Sequence, residues 1–211
     1  MEDRCSLCGG AHLTAVALRG KSYFDCATCR LVHLGPAHRL DAAAERAHYA
    51  THHNDPADAG YREFLGRVAT PLVALLAPDA TGLDYGSGPG PTLSVLLAEK
   101  GFSVALYDPF FAPDRAPLDR TYDFITCTET AEHFFEPSLE FARLRRLLRP
   151  GGVLAVMTEV LRDDTPLDGW WYLRDPTHVS FYRPETFEWL AQQHGLTLQF
   201  VHRNVVFLRR R

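Results

Sequence analysis

Three groups of residues in this chain have types and spacings that could do chemistry. Four cysteines stand in two tight pairs, Cys5-Ser6-Leu7-Cys8 and Cys26-Ala27-Thr28-Cys29. A glycine run, Asp84-Tyr85-Gly86-Ser87-Gly88-Pro89-Gly90, comes next. Ionisable side chains then gather in two stretches: Glu129, Glu132 and His133, and later Asp175 and His178 among Trp170, Trp171, Tyr172 and Tyr182. Two thiolates on one turn occupy adjacent corners of a tetrahedron, and a second pair completes it. The seventeen residues between Cys8 and Cys26 suit a small zinc ribbon. Cys5, Cys8, Cys26 and Cys29 are therefore expected to hold a structural zinc with no open position. Iron in a rubredoxin-like site shares that ligand set. His33 is unnecessary for a complete shell, and Cys127 suits a buried strand end.

The glycine run reads as a cofactor loop. Thr81 to Tyr85 before it has the pattern of a strand, and Pro91 after it suits the first position of a helix running to Gly101. Glycines at 86, 88 and 90 let the backbone turn sharply and approach a ligand with no Cβ in the way. Asp108 closes the next strand, 18 residues after Gly90, where its carboxylate can accept both hydroxyls of a ribose. The dinucleotide pattern requires its third glycine one residue later, which disfavours a nicotinamide oxidoreductase.

The elements that must position these groups alternate. A metal-stapled module over 1–35 contains a hairpin around Gly20. A helical linker or lid over 36–79 follows, with helices near 41–50 and 58–77, the second kinked or split at Pro71. Its loop carries His52 and His53, which could cover a site but are expected to be solvent-exposed. Over 80–211 come strands at 102–107, 122–127 and 152–159, a helix over 137–149 with Gly151 beyond it, and a helix over 184–194 stopped by Gly195. The chain closes with a hairpin of 196–200 and 204–208. The expected fold is α/β, a parallel sheet covered on both faces with an antiparallel C-terminal hairpin.

Composition bounds the rest. With 211 residues, 46% of them hydrophobic, the chain can bury one sizeable core plus a small appendage. A net charge of −4 offers no basic field for nucleic acid, and none is expected as a partner. No run of about 18 apolar residues spans a membrane, and the start lacks a signal peptide. A cytoplasmic, reducing location follows, in which paired cysteines are metal ligands rather than disulfides.

From residue 80 to about 160 the sequence resembles the class I S-adenosylmethionine-dependent methyltransferases, in particular small-molecule members with an N-terminal zinc-binding module. The matching stretches are Leu83 to Gly90, Ala105 to Pro109, Tyr122 to Phe134 and Leu147 to Leu154, with a weaker match over Asp175 to Tyr182. The resemblance implies a Rossmann-like sheet that binds S-adenosylmethionine. Gly86, Ser87, Gly88 and Gly90 would curve around the methionine portion, Asp84 would orient the loop and Asp108 would bind the ribose. Thr128, Glu129 and Thr130 would line the methionine end. Only 14 residues separate Asp108 from Asp123, so the sheet must be truncated around its third strand, and the adenine contact has no evident residue.

Methyl transfer needs an acceptor placed in line with the methyl and relieved of its proton. His178 is the first candidate for that task, His133 and Glu129 the next, with the aromatics of 170–182 walling in a small-molecule acceptor at O, C or N. The competing expectation is a non-catalytic S-adenosylmethionine-binding partner or regulatory protein. Oligomeric state cannot be read from the sequence.

Overall fold

A computed structural model describes residues 4–51 and 54–211; His52 and His53 lie outside the described residues. Two sheets are joined through a common core. The first has the order β1-β2-β3-β8, from Leu13–Leu18 (β1), Lys21–Cys26 (β2), Val32–Leu34 (β3) and Ser180–Phe181 (β8). The second has the order β5-β4-β6-β7-β10-β9, from Thr81–Tyr85 (β4), Ser103–Tyr107 (β5), Tyr122–Thr128 (β6), Leu148–Met157 (β7), Leu196–His202 (β9) and Val205–Arg210 (β10). The helices are Ala42–Tyr49 (α1), Ala59–Val73 (α2), Thr92–Ala98 (α3), Pro137–Leu147 (α4) and Pro184–His194 (α5).

In the larger sheet β5, β4, β6 and β7 run parallel, and β10 and β9 are antiparallel. This is the expected Rossmann-like sheet with its C-terminal hairpin. Because strand side chains alternate, successive residues serve opposite faces. Ile125, Cys127, Leu154, Val156, Val206 and Leu208 join Phe141, Leu144, Phe187 and Leu190 of α4 and α5 in one core. Phe124, Val153, Ala155, Met157, Val205 and Phe207 join Leu65, Val68 and Leu72 of α2 and Leu93 and Leu97 of α3 in the other. Cys127 is fully buried on β6, as expected.

The expected truncation is present. Among the described residues, β5 and β6 are linked only by an Asp108–Ala112 bridge and a single 3-10 turn, Ala116–Asp119. Other boundaries shift. Pro71 sits in the last turn of α2, too near its end to split it. Pro91 is the N-cap of α3 rather than its first residue. The helix expected to reach Arg149 stops at Leu147, because Leu148 already pairs with Tyr122 and β7 starts before Gly151. Gly195 is the left-handed C-cap of α5, at φ 63°.

The cysteine module does not stand clear of the larger sheet. Val32 and His33 pair with Phe181 and Ser180, so a strand from the far end of the chain completes its sheet. Cys5, Leu7, Cys26, Cys29 and Leu31 are buried in the same core as Tyr182 and Phe187. Arg183, itself buried, donates to both Asp25 oxygens at 3.0 and 2.8 Å and to the Arg30 carbonyl at 2.8 Å. A paired guanidinium fork of this kind fixes angle as well as distance.

Candidate active site and cysteine centre

The four cysteines meet at one point. Cys5 Sγ lies 3.5 Å from Cys29 Sγ, Cys8 Sγ lies 3.5 Å from Cys26 Sγ, and all four fall within 4.8 Å of one another. Tetrahedral zinc with bonds of about 2.3 Å needs sulfurs about 3.8 Å apart, so the donor set fits. The residues after each pair, Gly9 and Arg30, both turn through left-handed φ (69° and 61°), which closes each knuckle. The Leu7 and Gly10 amides donate to Cys5 Sγ and Cys8 Sγ at 3.4 and 3.3 Å, as they would to thiolates.

The second feature is a cleft of about 830 Å³ at the carboxyl ends of β4, β5 and β6, where open α/β sheets take their ligands. Asp84, Gly86, Ser87, Gly88, Gly90, Asp108, Thr128, Glu129, His133 and His178 all line it. The three glycines have different reasons to be there. A Cβ on Gly86 would run into the Thr130 side chain, and one on Gly90 into the Asn54 backbone. A Cβ on Gly88 would make only an ordinary contact with Asn54 Nδ2, at 3.5 Å, and it is the left-handed φ of 64° that asks for glycine there. At Gly86 and Gly90 the missing Cβ thus makes room for protein, while both residues still line the cleft.

Asp108 fixes the backbone on both sides of it. Its Oδ2 accepts from the Gly88 amide at 2.9 Å, and its Oδ1 accepts from Phe110 and Phe111 amides at 2.8 and 3.0 Å. Oδ2 keeps one lone pair for a ligand hydroxyl. Ser87 Oγ is buried with no partner among the described residues, a polar atom beside the loop that a ligand would satisfy. Asp84 points to its neighbour strand instead: its Oδ1 accepts from Thr126 Oγ1 at 2.8 Å, and burial pushes its carboxyl up to about 6.

The far wall is built by the loops after β6 and β7. Glu129 takes a left-handed backbone, φ 48°, while its amide donates to the Met157 carbonyl at 2.8 Å. Burial, then the charges of Glu132 and Glu159, push its carboxyl well above the usual range. Glu132 and His133 ride on the 3-10 turn Ala131–His133. His133 Nδ1 lies 3.1 Å from the Thr177 carbonyl, and His178 Nδ1 lies 2.8 Å from the Tyr172 carbonyl. The two rings meet edge to face at 4.9 Å. Burial pulls His178 below its ordinary value, which favours the neutral ring.

The aromatics divide. Trp171 is 57% exposed and lines the cleft with Tyr172, whereas Trp170 and Tyr182 are buried in the protein core. Several lining residues have no motif to announce them. Tyr49 of α1 sits edge-on to His133 at 5.1 Å, Phe110 and Phe111 follow Asp108, and Tyr61 and Phe64 come from α2. His48 Nε2 reaches Asp175 Oδ2 at 3.1 Å, tying α1 to the loop that carries His178. Both helices of the segment 36–79 contribute to the lining, α1 through Glu45 and Tyr49 and α2 through Tyr61, Phe64 and Leu65.

Comparison with known proteins follows the same outline. The chain is 33% identical over 88 residues to a ubiquinone biosynthesis O-methyltransferase of Pseudomonas savastanoi pv. phaseolicola, a match covering 41% of this chain and 38% of that one. A protein of the same name from Colwellia psychrerythraea is 27% identical over 144 residues, covering 62% of this chain and 57% of the relative. The chain therefore spans about two fifths to three fifths of the length of these curated relatives. Among solved structures, a 1,6-didemethyltoxoflavin-N1-methyltransferase of Burkholderia thailandensis, with bound 1,6-didemethyltoxoflavin and S-adenosylhomocysteine, superposes with a TM-score of 0.56 at 18% identity. That match covers 95% of this chain and 99% of that one, and shows a common fold. No described helix is long and apolar enough to cross a membrane. The sequence profile of a methyltransferase domain matches residues 58–200, well over half of the chain, and the chain belongs to that family.

Proposed function

We propose that this protein transfers a methyl group from S-adenosylmethionine to a small-molecule acceptor. The observation that carries this reading is the convergence of the glycine loop, Asp108 and the 129–133 and 178 side chains on one cleft. The methionine portion would follow Gly86 to Gly90, with Ser87 Oγ gaining its missing partner and Thr128 and Glu129 at the methionine end. The ribose would take the open lone pair of Asp108 Oδ2, and Phe110 and Phe111, in place of the truncated third strand, would flank the adenine. Bound there, the cofactor supplies a methyl group on a sulfonium sulfur.

This chain's residues then hold the acceptor and take its proton. Transfer would form the bond from the acceptor atom to the methyl carbon as the carbon–sulfur bond breaks, with its electron pair left on sulfur. His178 is the group that meets the acceptor, with Nδ1 turned to the Tyr172 carbonyl and Nε2 holding the lone pair. His133 and Glu129 complete that wall. Oxygen is the favoured acceptor atom, since the curated relatives are named as O-methyltransferases. Zinc at Cys5, Cys8, Cys26 and Cys29 is structural in this reading. The working division is a zinc module over 1–35, a lid over 36–79 and a catalytic core over 80–211, in a cytoplasmic enzyme.

Calorimetry with S-adenosylhomocysteine, followed by a methyl-donor consumption screen against hydroxylated metabolites, tests the proposal. Binding together with turnover supports it. Binding without turnover for any acceptor favours a regulatory partner, and absence of binding overturns the reading.

A further inference from the structure

One cluster in the cleft is built more elaborately than proton transfer requires. Glu132, His133 and His178 each offer a ligand atom, and the three atoms lie within 4.8 Å of one another. Glu132 is fully buried. One of its oxygens accepts the Tyr172 hydroxyl; the other, Oε2, has no hydrogen-bond partner among the described residues. A buried carboxylate oxygen left without a donor is rare in a folded protein and calls for a missing partner.

The two imidazoles are oriented for the same partner. A backbone carbonyl can only accept, so the contacts to Thr177 and Tyr172 place the proton of each ring on Nδ1. Nε2 of each ring is then a lone-pair nitrogen. The cluster gathers one ligand atom from each residue within 4.8 Å, with Glu132 and His178 buried and His133 partly so, and a cation among them would offset the repulsion between carboxylate and lone pairs. Carbonyls that fix the tautomer from behind are what metal-ligating histidines have. Asp175, whose Oδ2 lies 3.9 Å from His178 Nε2, adds a second carboxylate nearby.

We propose that Glu132, His133 and His178 bind a divalent transition-metal ion, distinct from the one expected at the four cysteines. Two imidazoles and a carboxylate suit zinc, cobalt, iron or manganese, and a set of three leaves coordination positions open. Those positions face the cleft in which all three residues take part. The inference rests on the reading that the acceptor sits there, and it changes the work of His178 from direct partner of the acceptor to ligand of the ion that partners it. A hydroxyl or vicinal diol is the acceptor class such an ion would hold.

The test is a cobalt titration of the zinc-loaded 211-residue chain, followed by visible absorption. Filling the four cysteines beforehand leaves cobalt only nitrogen and oxygen ligands to find. The expected result is d–d bands that saturate at one cobalt per chain, with no thiolate-to-cobalt charge transfer. His178→Ala and Glu132→Gln should each weaken that binding by at least roughly 10–100-fold, the cost of losing even an outer-shell partner, while zinc content stays as in the parent. A wild-type titration that shows only hydrated cobalt overturns the proposal without any variant. So does unchanged cobalt affinity in both variants. S-adenosylhomocysteine affinity measured on the same samples keeps the two readings separate: its absence sinks the methyl-transfer reading, whatever cobalt does.

Discussion

Asp108 Oδ2 accepts the Gly88 amide at 2.9 Å, so the residue expected to hold the cofactor's ribose also fixes the loop that would hold its methionine. The two roles predict more than a lost contact. Replacing Asp108 by alanine should weaken S-adenosylhomocysteine by about 1.5–3 kcal/mol, the range for hydrogen bonds to a charged acceptor. It should also speed amide exchange at Gly88, Phe110 and Phe111. Unchanged affinity in calorimetry places the ribose elsewhere, even if the loop loosens.

The cysteine centre predicts one tightly held zinc that survives a mild chelator in the parent and is missing in Cys26→Ser. Elemental analysis of the two proteins checks it. Because Cys26 and Cys29 share a core with Tyr182 and Phe187, loss of the metal should raise hydrogen exchange in 5–34 and also in 180–187. Four thiols that react freely in the native parent, with no metal present, would refute the assignment.

His178→Ala should lower turnover by roughly 10²-fold or more and leave cofactor affinity nearly unchanged. The residue lines the cleft from the loop after β7, apart from the glycine loop in the chain. Single-turnover kinetics and calorimetry on one preparation separate the two effects. Full turnover in that variant would reduce His178 to packing and move attention to His133 and Glu129.

Asp84 gives a pH signature. Its folded value, about 6, lies above the ordinary 3.8 because of burial. Between these values the folded chain binds the extra proton, so stability is greatest below the window and falls as pH rises through it. Asp84→Asn can keep the Thr126 bond while removing the ionisation. Its advantage over the parent should grow by about 1–2 kcal/mol between about pH 5 and about pH 7.5, measured by urea unfolding without cofactor. A difference that does not change with pH would mean that Asp84 ionises freely.

What could be read in the sequence was local. Two cysteines three positions apart dictate their own turn, and a count of residues after Asp108 was enough to find the missing strand. What could not be read depends on distant partners. Glu132 looked like one acid beside Glu129, since Tyr172, its hydrogen-bond donor, lies 40 residues away. The spacing of Gly86 and Gly90 does not show that Thr130 and Asn54 pack where their Cβ atoms would stand. Tyr49 carries no motif at all. The two-residue strand Ser180–Phe181 is too short for any periodicity to reveal.

That short strand also sets an order of events. Val32 pairs with Phe181, 149 positions later, and Asp25 waits 158 positions for Arg183. During synthesis the cysteine knuckles leave the ribosome well before Ser180 and Phe181, and until then their sheet lacks its last strand. Pairings so far apart in sequence close slowly. The cysteine module is therefore among the last parts of this chain to complete its sheet, and a chain cut short before Phe181 would expose an unpaired edge at β3.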